Sequence, residues 1–259
     1  MSNLIAERIT IAINNKMICQ DLNLAIRPGD IWGLLGPNGC GKTTLLHALA
    51  GLHPLIEGDM KLDNHFYTTL SVRSIAQNIG ILFQHFHSSF PQTVWEYCLT
   101  SRYPHLSYFK KESSKDKHIV MQALQLMALD PFMHKTIDHL SGGEKRRLAI
   151  ATVLAQTPSI YLLDEPTNHL DVQHQMRVLN HFTDLAQNNT AGIMMALHDV
   201  NLAQQFCNRI LLLFPDGCIQ QGTANEMLTV ENLTRLYQHP IKKILADTTT
   251  FWWAESKRC

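Results

Sequence analysis

The sequence predicts an α/β fold: an open, largely parallel sheet with helices on its faces, an antiparallel strand unit before it and a helical insertion within it. Three features carry that prediction. The segment Gly36-Pro37-Asn38-Gly39-Cys40-Gly41-Lys42-Thr43 stands between the apolar run Ile31–Leu35 and the helix-like stretch Thr44–Ala50. From residue 159 onward, apolar runs of strand length alternate with segments of helical period, the rhythm of βαβ units. Between 88 and 156 that rhythm gives way to helical patterning alone.

The elements follow in order. Residues 3–30 put Ile9, Ile11 and Ile13, then Leu22, Leu24 and Ile26, at alternate positions and end in Arg27-Pro28-Gly29-Asp30, which reads as two antiparallel strands and a turn. Residues 31–51 form the strand–loop–helix unit, and 56–84 hold further short strands, the last ending in Ile79-Gly80-Ile81-Leu82-Phe83-Gln84. Thr93-Val94-Trp95-Glu96 fits a capping box. Over 118–129, Val120, Ala123, Leu124 and Met127 recur at helical spacing. The charged run Lys110–Lys117 between them reads as a solvated helix start or loop. Strands at 159–163, 192–197 and 209–214 then alternate with helices at 172–187 and 200–207. Pro215-Asp216-Gly217 supplies a hairpin turn, 223–237 a short helical region, and 241–253 a closing pair of strands. A single domain is expected, its core built from 1–87 and 157–240, its helical part from 88–156, and its tail from 241–259.

Bulk properties exclude several classes. Lys+Arg and Asp+Glu are both 22 in 259 residues, so the basic surplus of a nucleic-acid binder is missing and no nucleic-acid partner is expected. No uncharged apolar run approaches the ~18 residues needed to cross a bilayer. The start, Met1-Ser2-Asn3-Leu4, shows no signal-peptide pattern; the expectation is a soluble cytoplasmic protein. Six cysteines (19, 40, 98, 207, 218 and 259) form no Cys-x-x-Cys pair and read as reduced thiols. Fourteen histidines include no His-x-x-x-His or His-Glu-x-x-His spacing.

Residues 36–43 spell G-x-x-x-x-G-K-[ST] in the context a phosphate loop needs. Its glycines let successive N–H groups turn inward at the positive end of the following helix. Lys42 would reach the terminal phosphates, and the Thr43 hydroxyl would ligate Mg²⁺. The apolar run Ile160–Leu163 ends in Asp164 and Glu165. In a nucleoside triphosphatase the first acid holds the metal shell and the second orients or deprotonates water; a strand ending on two exposed acids is an equal structural reading. Leu140-Ser141-Gly142-Gly143-Glu144 is a capping box that stabilises a helix whatever the function, yet its glycines bare N–H groups at a helix start, a second anion site. Gln84 and His198 stand where strands end, at the carboxyl edge at which an open parallel sheet gathers ligands; singly, each also reads as a satisfied polar residue. Asn168-His169-Leu170-Asp171 by itself is a helix-capping loop.

Together these residues resemble an ATP-binding-cassette (ABC) ATPase, from about residue 3 to 237. Walker A is 36–43, the Q-loop residue Gln84, the signature Leu-Ser-Gly-Gly-Glu 140–144, Walker B 160–164 followed by the catalytic acid Glu165, the D-loop 168–171 and the switch histidine His198. The resemblance implies a P-loop NTPase (RecA-like) core with an antiparallel β subdomain and a helical signature subdomain. It implies ATP cradled by Gly36 through Thr44 and Mg²⁺ held by Thr43, Gln84 and Asp164. Lys42, Gln84, Glu165 and His198 would serve catalysis. Two chains would pack head to tail, with Ser141 and Gly143 on the partner's γ-phosphate and Gly142 and Asp171 counted in the same contact.

One departure stands out. The family places an aromatic residue for adenine stacking some way before Walker A; the equivalent stretch is Thr10-Ile11-Ala12-Ile13-Asn14-Asn15, and no aromatic precedes Trp32. Ile13 offers only an apolar face, so weakened adenine selectivity is expected. Cys40 leaves two readings open, a thiol activated at a helix terminus or an inert packing group.

Thr93–Tyr97, Ser101-Arg102-Tyr103-Pro104-His105-Leu106 and Leu197–Ala203 look like the ATPases of bacterial iron-chelate, haem and cobalamin importers, the Arg-Tyr-Pro-His segment most diagnostically. That likeness implies a homodimer beneath an integral-membrane permease, peripheral on the inner face of the membrane, with a separate periplasmic or surface substrate-binding protein. Zinc or manganese importers are the nearest alternative. A soluble ABC protein acting on ribosomes or DNA would have paired cassettes or a long coiled coil, and neither is here. A non-hydrolysing module would have a damaged site. Phe86, Phe90, Trp95, Tyr97, Tyr103, Tyr108 and Phe109 read equally as a permease-docking surface or as the core of the helical part. Phe251-Trp252-Trp253 reads as strand packing, with subunit contact as the alternative.

Overall fold

The parallel strands of the central sheet are apolar at nearly every position because both of their faces are covered. The computed structural model describes residues 2–13, 16–84, 90–107, 111–246 and 249–255. Asn14, Asn15, Phe86, Tyr108, Phe109, Lys110 and Cys259, all named above, lie outside them. Strand β1 (Leu4–Ile13) pairs antiparallel with β2 (Lys16–Ile26), as the alternation of residues 3–30 predicts. β3 (Ile31–Leu35) leads through the glycine-rich loop into α1 (Lys42–Leu49). β4 (Glu57–Leu62) and β5 (His65–Phe66) extend the first sheet in the order β2-β1-β4-β5.

Helix α2 (Val72–Asn78), which precedes β6 (Ile79–Leu82), has no counterpart in the sequence reading. It buries no residue, so it leaves no apolar stripe to detect; Ser71 starts it by accepting the Ser74 N–H. α3 (Val94–Leu99), α4 (Ser114–Leu126) and α5 (Gly142–Gln156) follow. Thr93 and Glu96 form the expected capping box, and a second one, Ser113 with Asp116, starts α4 inside the charged run. The β/α alternation then resumes with β7 (Ile160–Asp164), α6 (Val172–Gln187), β8 (Gly192–Ala196), α7 (Val200–Phe206) and β9 (Arg209–Leu213). β10 (Ile219–Thr223), α8 (Ala224–Met227), α9 (Val230–Tyr237) and the hairpin β11 (Ile241–Ala246) and β12 (Thr249–Ala254) complete the chain.

The second sheet has the order β10-β9-β3-β8-β7-β6, parallel except for β10 at its edge. Alternate residues of each strand enter different cores. Trp32, Leu34, Leu162, Met194 and Leu211 pack toward α1 and the antiparallel sheet. Leu35, Leu163, Met195 and Leu212 pack toward α5, α6 and α7. Each such side chain contributes about 1.5–3 kcal/mol on burial. Because β3 lies between β8 and β9, the winding direction changes there, and a crevice opens at its carboxyl end. Trp252 packs the closing hairpin onto α7, its backbone N–H donating to Asn201 Oδ1 (2.8 Å), as strand packing requires, while Trp253 faces outward, 63% exposed. Among the described residues, no helix is long and apolar enough to cross a membrane.

Cys40 settles its two readings through packing. Its side chain is 4% exposed and belongs to the core between α1 and the sheet. A Cβ at Gly36 would meet Cys40 Sγ at 2.6 Å, so the thiol fills the space directly behind the loop. Burial raises its pKa, outweighing the opposing pull of Lys42. An inert packing thiol is the result, and the activated one is overturned. Brief treatment of the native chain with N-ethylmaleimide is therefore expected to modify the exposed Cys218 and leave Cys40 free, with nucleotide binding retained; peptide mass mapping reads the outcome.

Candidate functional site

Four strand ends meet at the crevice. The loop after β3 turns at Gly39 (φ +73°) and Gly41 (φ +112°), and Gly41 is the left-handed N-cap of α1. A Cβ at Gly41 would stand 2.5 Å from Ile18 Cγ2, so only glycine lets the loop close against β2. Lys42 is buried, and its Nζ donates to Gly36 O (2.8 Å) and Pro37 O (3.2 Å), which bends the loop around its own cation. Lys16 Nζ donates to Gly39 O from outside (2.8 Å). Asn38, Gly39, Gly41, Lys42, Thr43 and Thr44 line one side of a cleft of about 610 Å³. Gly36, Pro37 and Cys40 support the loop from behind. Ile13, Lys16 and Ile18 form the cleft's outer wall, and among the described residues no Phe, Tyr or Trp lines it.

β7 supplies the acids. Thr43 Oγ1 donates to Asp164 Oδ2 at 2.6 Å, joining α1 to the end of the strand. Asp164 is fully buried, and its Oδ1 has no hydrogen-bond partner among the described residues. Burial raises its pKa, against the lowering effect of the Thr43 hydroxyl. A hydroxyl beside a buried carboxylate oxygen in need of a partner fits a small hard dication with oxygen ligands.

Glu165 occupies a left-handed backbone conformation (φ +51°), which costs about 1–3 kcal/mol unless its surroundings enforce it. The enforcement is visible. Its N–H donates to Ala196 O (3.2 Å), and its carbonyl accepts from Arg146 Nη2 (2.6 Å). The carboxylate is held from three directions: His198 Nε2 meets Oε1, while Asn168 Nδ2 and Gln84 Nε2 donate to Oε2, the latter at 3.3 Å. Glu165, Asn168, His198 and Gln84 line the same cleft as the phosphate loop. Gln84 therefore contacts the acid rather than the Thr43–Asp164 pair.

The structure keeps the remaining candidates apart from this cleft. Ser141 caps α5, its Oγ accepting the Glu144 N–H (3.3 Å) while its own N–H donates to Glu144 Oε2 (2.7 Å). Gly142 faces open space, and a Cβ at Gly143 would stand 3.2 Å from His169 O. Asp171 caps α6 by accepting the His174 N–H (2.8 Å) and lies exposed outside the lining. Asn168, three residues earlier, is the member of that loop that reaches Glu165.

Two contributors escaped the sequence reading. Arg146, 5% exposed, donates to Phe83 O (2.7 Å) and to the Asp164 and Glu165 carbonyls. Lys16 buttresses the loop. In sequence, Arg146 is one of three consecutive cations, Lys145-Arg146-Arg147, and nothing there marks which of them turns inward. A second cavity, also about 610 Å³, adjoins the cleft through Thr43 and Gln84 and is walled by Phe83, Tyr97, Thr152 and Val153. Of the aromatic set, Tyr97 lines this groove, Trp95 packs against the core, and Phe90 and Tyr103 are exposed.

Comparison with known proteins agrees with this geometry. The family described as ABC transporter matches residues 19–168. The iron(3+)-hydroxamate import ATP-binding protein FhuC of Bacillus subtilis is 34% identical, covering 92% of this chain and 88% of that one. The hemin import ATP-binding protein HmuV of Burkholderia ambifaria is 33% identical, covering 93% and 95%. Among solved structures, an inward-facing ABC transporter assigned to the metal-chelate type superposes with a TM-score of 0.83 at 32% identity over 99% of both chains. A dimeric post-hydrolysis state of the ATP-binding cassette MJ0796 bound to ADP and Pi gives 0.74 at 25% identity over 85% and 98%. The fold is thus the P-loop NTPase core expected from the sequence, and the chain belongs to the ABC transporter family as an ATP-binding, ATP-hydrolysing cassette.

Proposed function

We propose that the chain is the ATPase subunit of a bacterial importer of an iron chelate or haem, acting as a head-to-tail homodimer under a separate integral-membrane permease on the inner face of the membrane. The observation that carries the enzymatic half is Glu165, held by His198, Asn168 and Gln84 at the mouth of the phosphate loop. The substrate class rests on the relatives, whose names cite hydroxamate, ferric enterobactin and hemin. A molybdate import relative from Haemophilus influenzae, 35% identical, fits a division of labour in which permease and external binding protein choose the cargo.

In this reading residues 1–87 and 157–240 form the nucleotide core, 88–156 the signature-bearing part and 241–259 the closing strands. Gly36–Thr44 cradle ATP, with Lys42 turned to its terminal phosphates. Mg²⁺, held by Thr43 and Asp164 with Gln84 nearby, would supply charge neutralisation at the phosphate oxygens. Glu165 orients and accepts a proton from water; His198 holds that carboxylate and the γ-phosphate in line. Ser141, Gly142 and Gly143, with Asp171, serve the partner's nucleotide rather than their own.

Three outcomes are expected. Glu165→Gln retains ATP binding but loses turnover by roughly tenfold or more; comparable turnover in the purified variant would remove Glu165 from its role. Affinity capture of the tagged chain from detergent-solubilised membranes brings down a polytopic permease in stoichiometric amount, and recovery of ribosomes or soluble partners alone would overturn the transport reading. GTP competes with ATP within about tenfold, since a wall of Ile13, Lys16 and Ile18 forgoes ring stacking worth about 1 kcal/mol; a strong ATP preference in competition binding would sink that point.

A further inference from the structure

Ser101-Arg102-Tyr103-Pro104-His105-Leu106 is distinctive in sequence yet touches no nucleotide residue. In the structure it forms a short turn after α3, laid across the C-terminus of α5. The last carbonyls of a helix lack intrahelical partners and sit at the negative end of its dipole. Here they receive a dedicated clamp. Arg102, 5% exposed, donates from Nη1 to Ala155 O (2.7 Å), to Gln156 O (3.3 Å) and to Thr157 Oγ1 (3.0 Å). Its Nε pairs with Asp116 Oδ1 (3.0 Å), the same carboxylate that caps α4. His105 Nε2 lies 2.8 Å from Gln156 O; a carbonyl only accepts, so that nitrogen carries the proton. The Gln156 side chain donates onward to Ala76 O (2.6 Å) and Ile79 O (2.9 Å), and Pro104 O accepts from Arg73 Nε (2.9 Å) and Gln77 Nε2 (2.7 Å). One joint therefore binds α2, the start of β6, α4 and the end of α5.

The joint also belongs to the groove. Ser101, beside Arg102, lines it together with Thr152, Val153 and Gln156 of α5. The other end of α5 carries Ser141 and Gly143. Between them Arg146 anchors the helix to the ends of β6 and β7. α5 is thus held at its middle and at its C-terminus, with its N-terminus exposed. At about 1.5 Å rise per residue, the arm from Arg146 to Gln156 is about 15 Å and the arm to Ser141 about 7 Å. A displacement of about 1 Å at the clamp moves Ser141 by about 0.5 Å, on the scale at which contacts to a reacting phosphate are won or lost.

We propose that Arg102 and His105 are positioning residues that fix the tilt of α5, and so set Ser141 and Gly143 against the nucleotide of the partner chain from within the wall of the groove. This rests on the head-to-tail dimer of the preceding section. The test uses the full chain carrying Glu165→Gln, with His105→Ala or His105→Gln added, plus the same two substitutions in the unaltered chain for turnover. Binding of trinitrophenyl-ATP to dilute protein is expected to stay within about twofold. ATP-driven dimerisation, read by light scattering after size exclusion, weakens roughly tenfold in His105→Ala, and kcat falls with little change in KM. His105→Gln, whose amide N–H reaches the same carbonyl, restores most of both. Arg102→Lys, which keeps a charge beside Asp116 but loses the fork, gives a larger loss; should it fail to fold, the His105 pair decides. The proposal is overturned if His105→Ala dimerises normally, if nucleotide binding falls as far as dimerisation, or if the glutamine does no better than the alanine. A Glu165→Gln parent that does not dimerise with ATP would sink the dimer reading as well, whereas a dimerising parent with an unaffected His105→Ala sinks the clamp alone.

Discussion

The arrangement depends on one buried guanidinium. Arg146 rises from α5 into the gap between the ends of β6 and β7 and donates to carbonyls on both, Phe83 on one side and Asp164 and Glu165 on the other. Among the described residues no carboxylate pairs with it directly; its stabilisation comes from carbonyl dipoles and from the acids close by. A hydrogen bond to a charged group contributes about 1.5–3 kcal/mol, and a buried charge without such partners would cost several. The interaction therefore does two things at once. It makes the left-handed turn at Glu165 tolerable, and it fixes the distance between Gln84, the acid and the helix that begins at Ser141.

From that anchor the rest follows as geometry. Gln84 lies where the cleft and the apolar groove meet, lining both, and its amide reaches the Glu165 carboxylate. One wall of the groove is therefore a residue hydrogen-bonded to the acid. The groove's opposite wall is α5 itself, with Thr152, Val153 and Gln156 at one end and the signature glycines at the other. The two cavities thus share Thr43 and Gln84 in their linings, and α5, which walls the groove, is tied through Arg146 to the strand end that carries Glu165.

Much of this was legible in the sequence, for identifiable reasons. The strands of the parallel sheet stand out because burial on both faces demands unbroken apolar runs, and α6 runs over the expected 172–187 because Asp171 caps it and its apolar stripe is strong. The phosphate loop was legible because only glycine fits at Gly41 against Ile18. What sequence did not reveal is orientation. α2 has no buried face to betray it; Arg146 is indistinguishable from its two cationic neighbours; Cys40 faces the core rather than the nucleotide side. Asp171 and Asn168 share a loop, but only the turn at Glu165 and His169, both at positive φ, decides that Asn168 points into the cleft and Asp171 away from it.

The exposed end of α5 explains why a proposed dimer, and not a single chain, suits this site. Ser141 is engaged in capping: its N–H donates to Glu144 Oε2 and its hydroxyl oxygen accepts the Glu144 N–H. The hydroxyl hydrogen is left over as a donor. Gly142, with open space where a side chain would stand, bares the first N–H groups of a 15-residue helix at its positive end. Donors on a surface, carried by a helix pinned through Arg146 to the backbone of Glu165 in its own chain, suit an anion brought by another molecule. The capping box that serves as plain structure in one chain is, on this reading, what readies the same residues to receive the phosphate of the next.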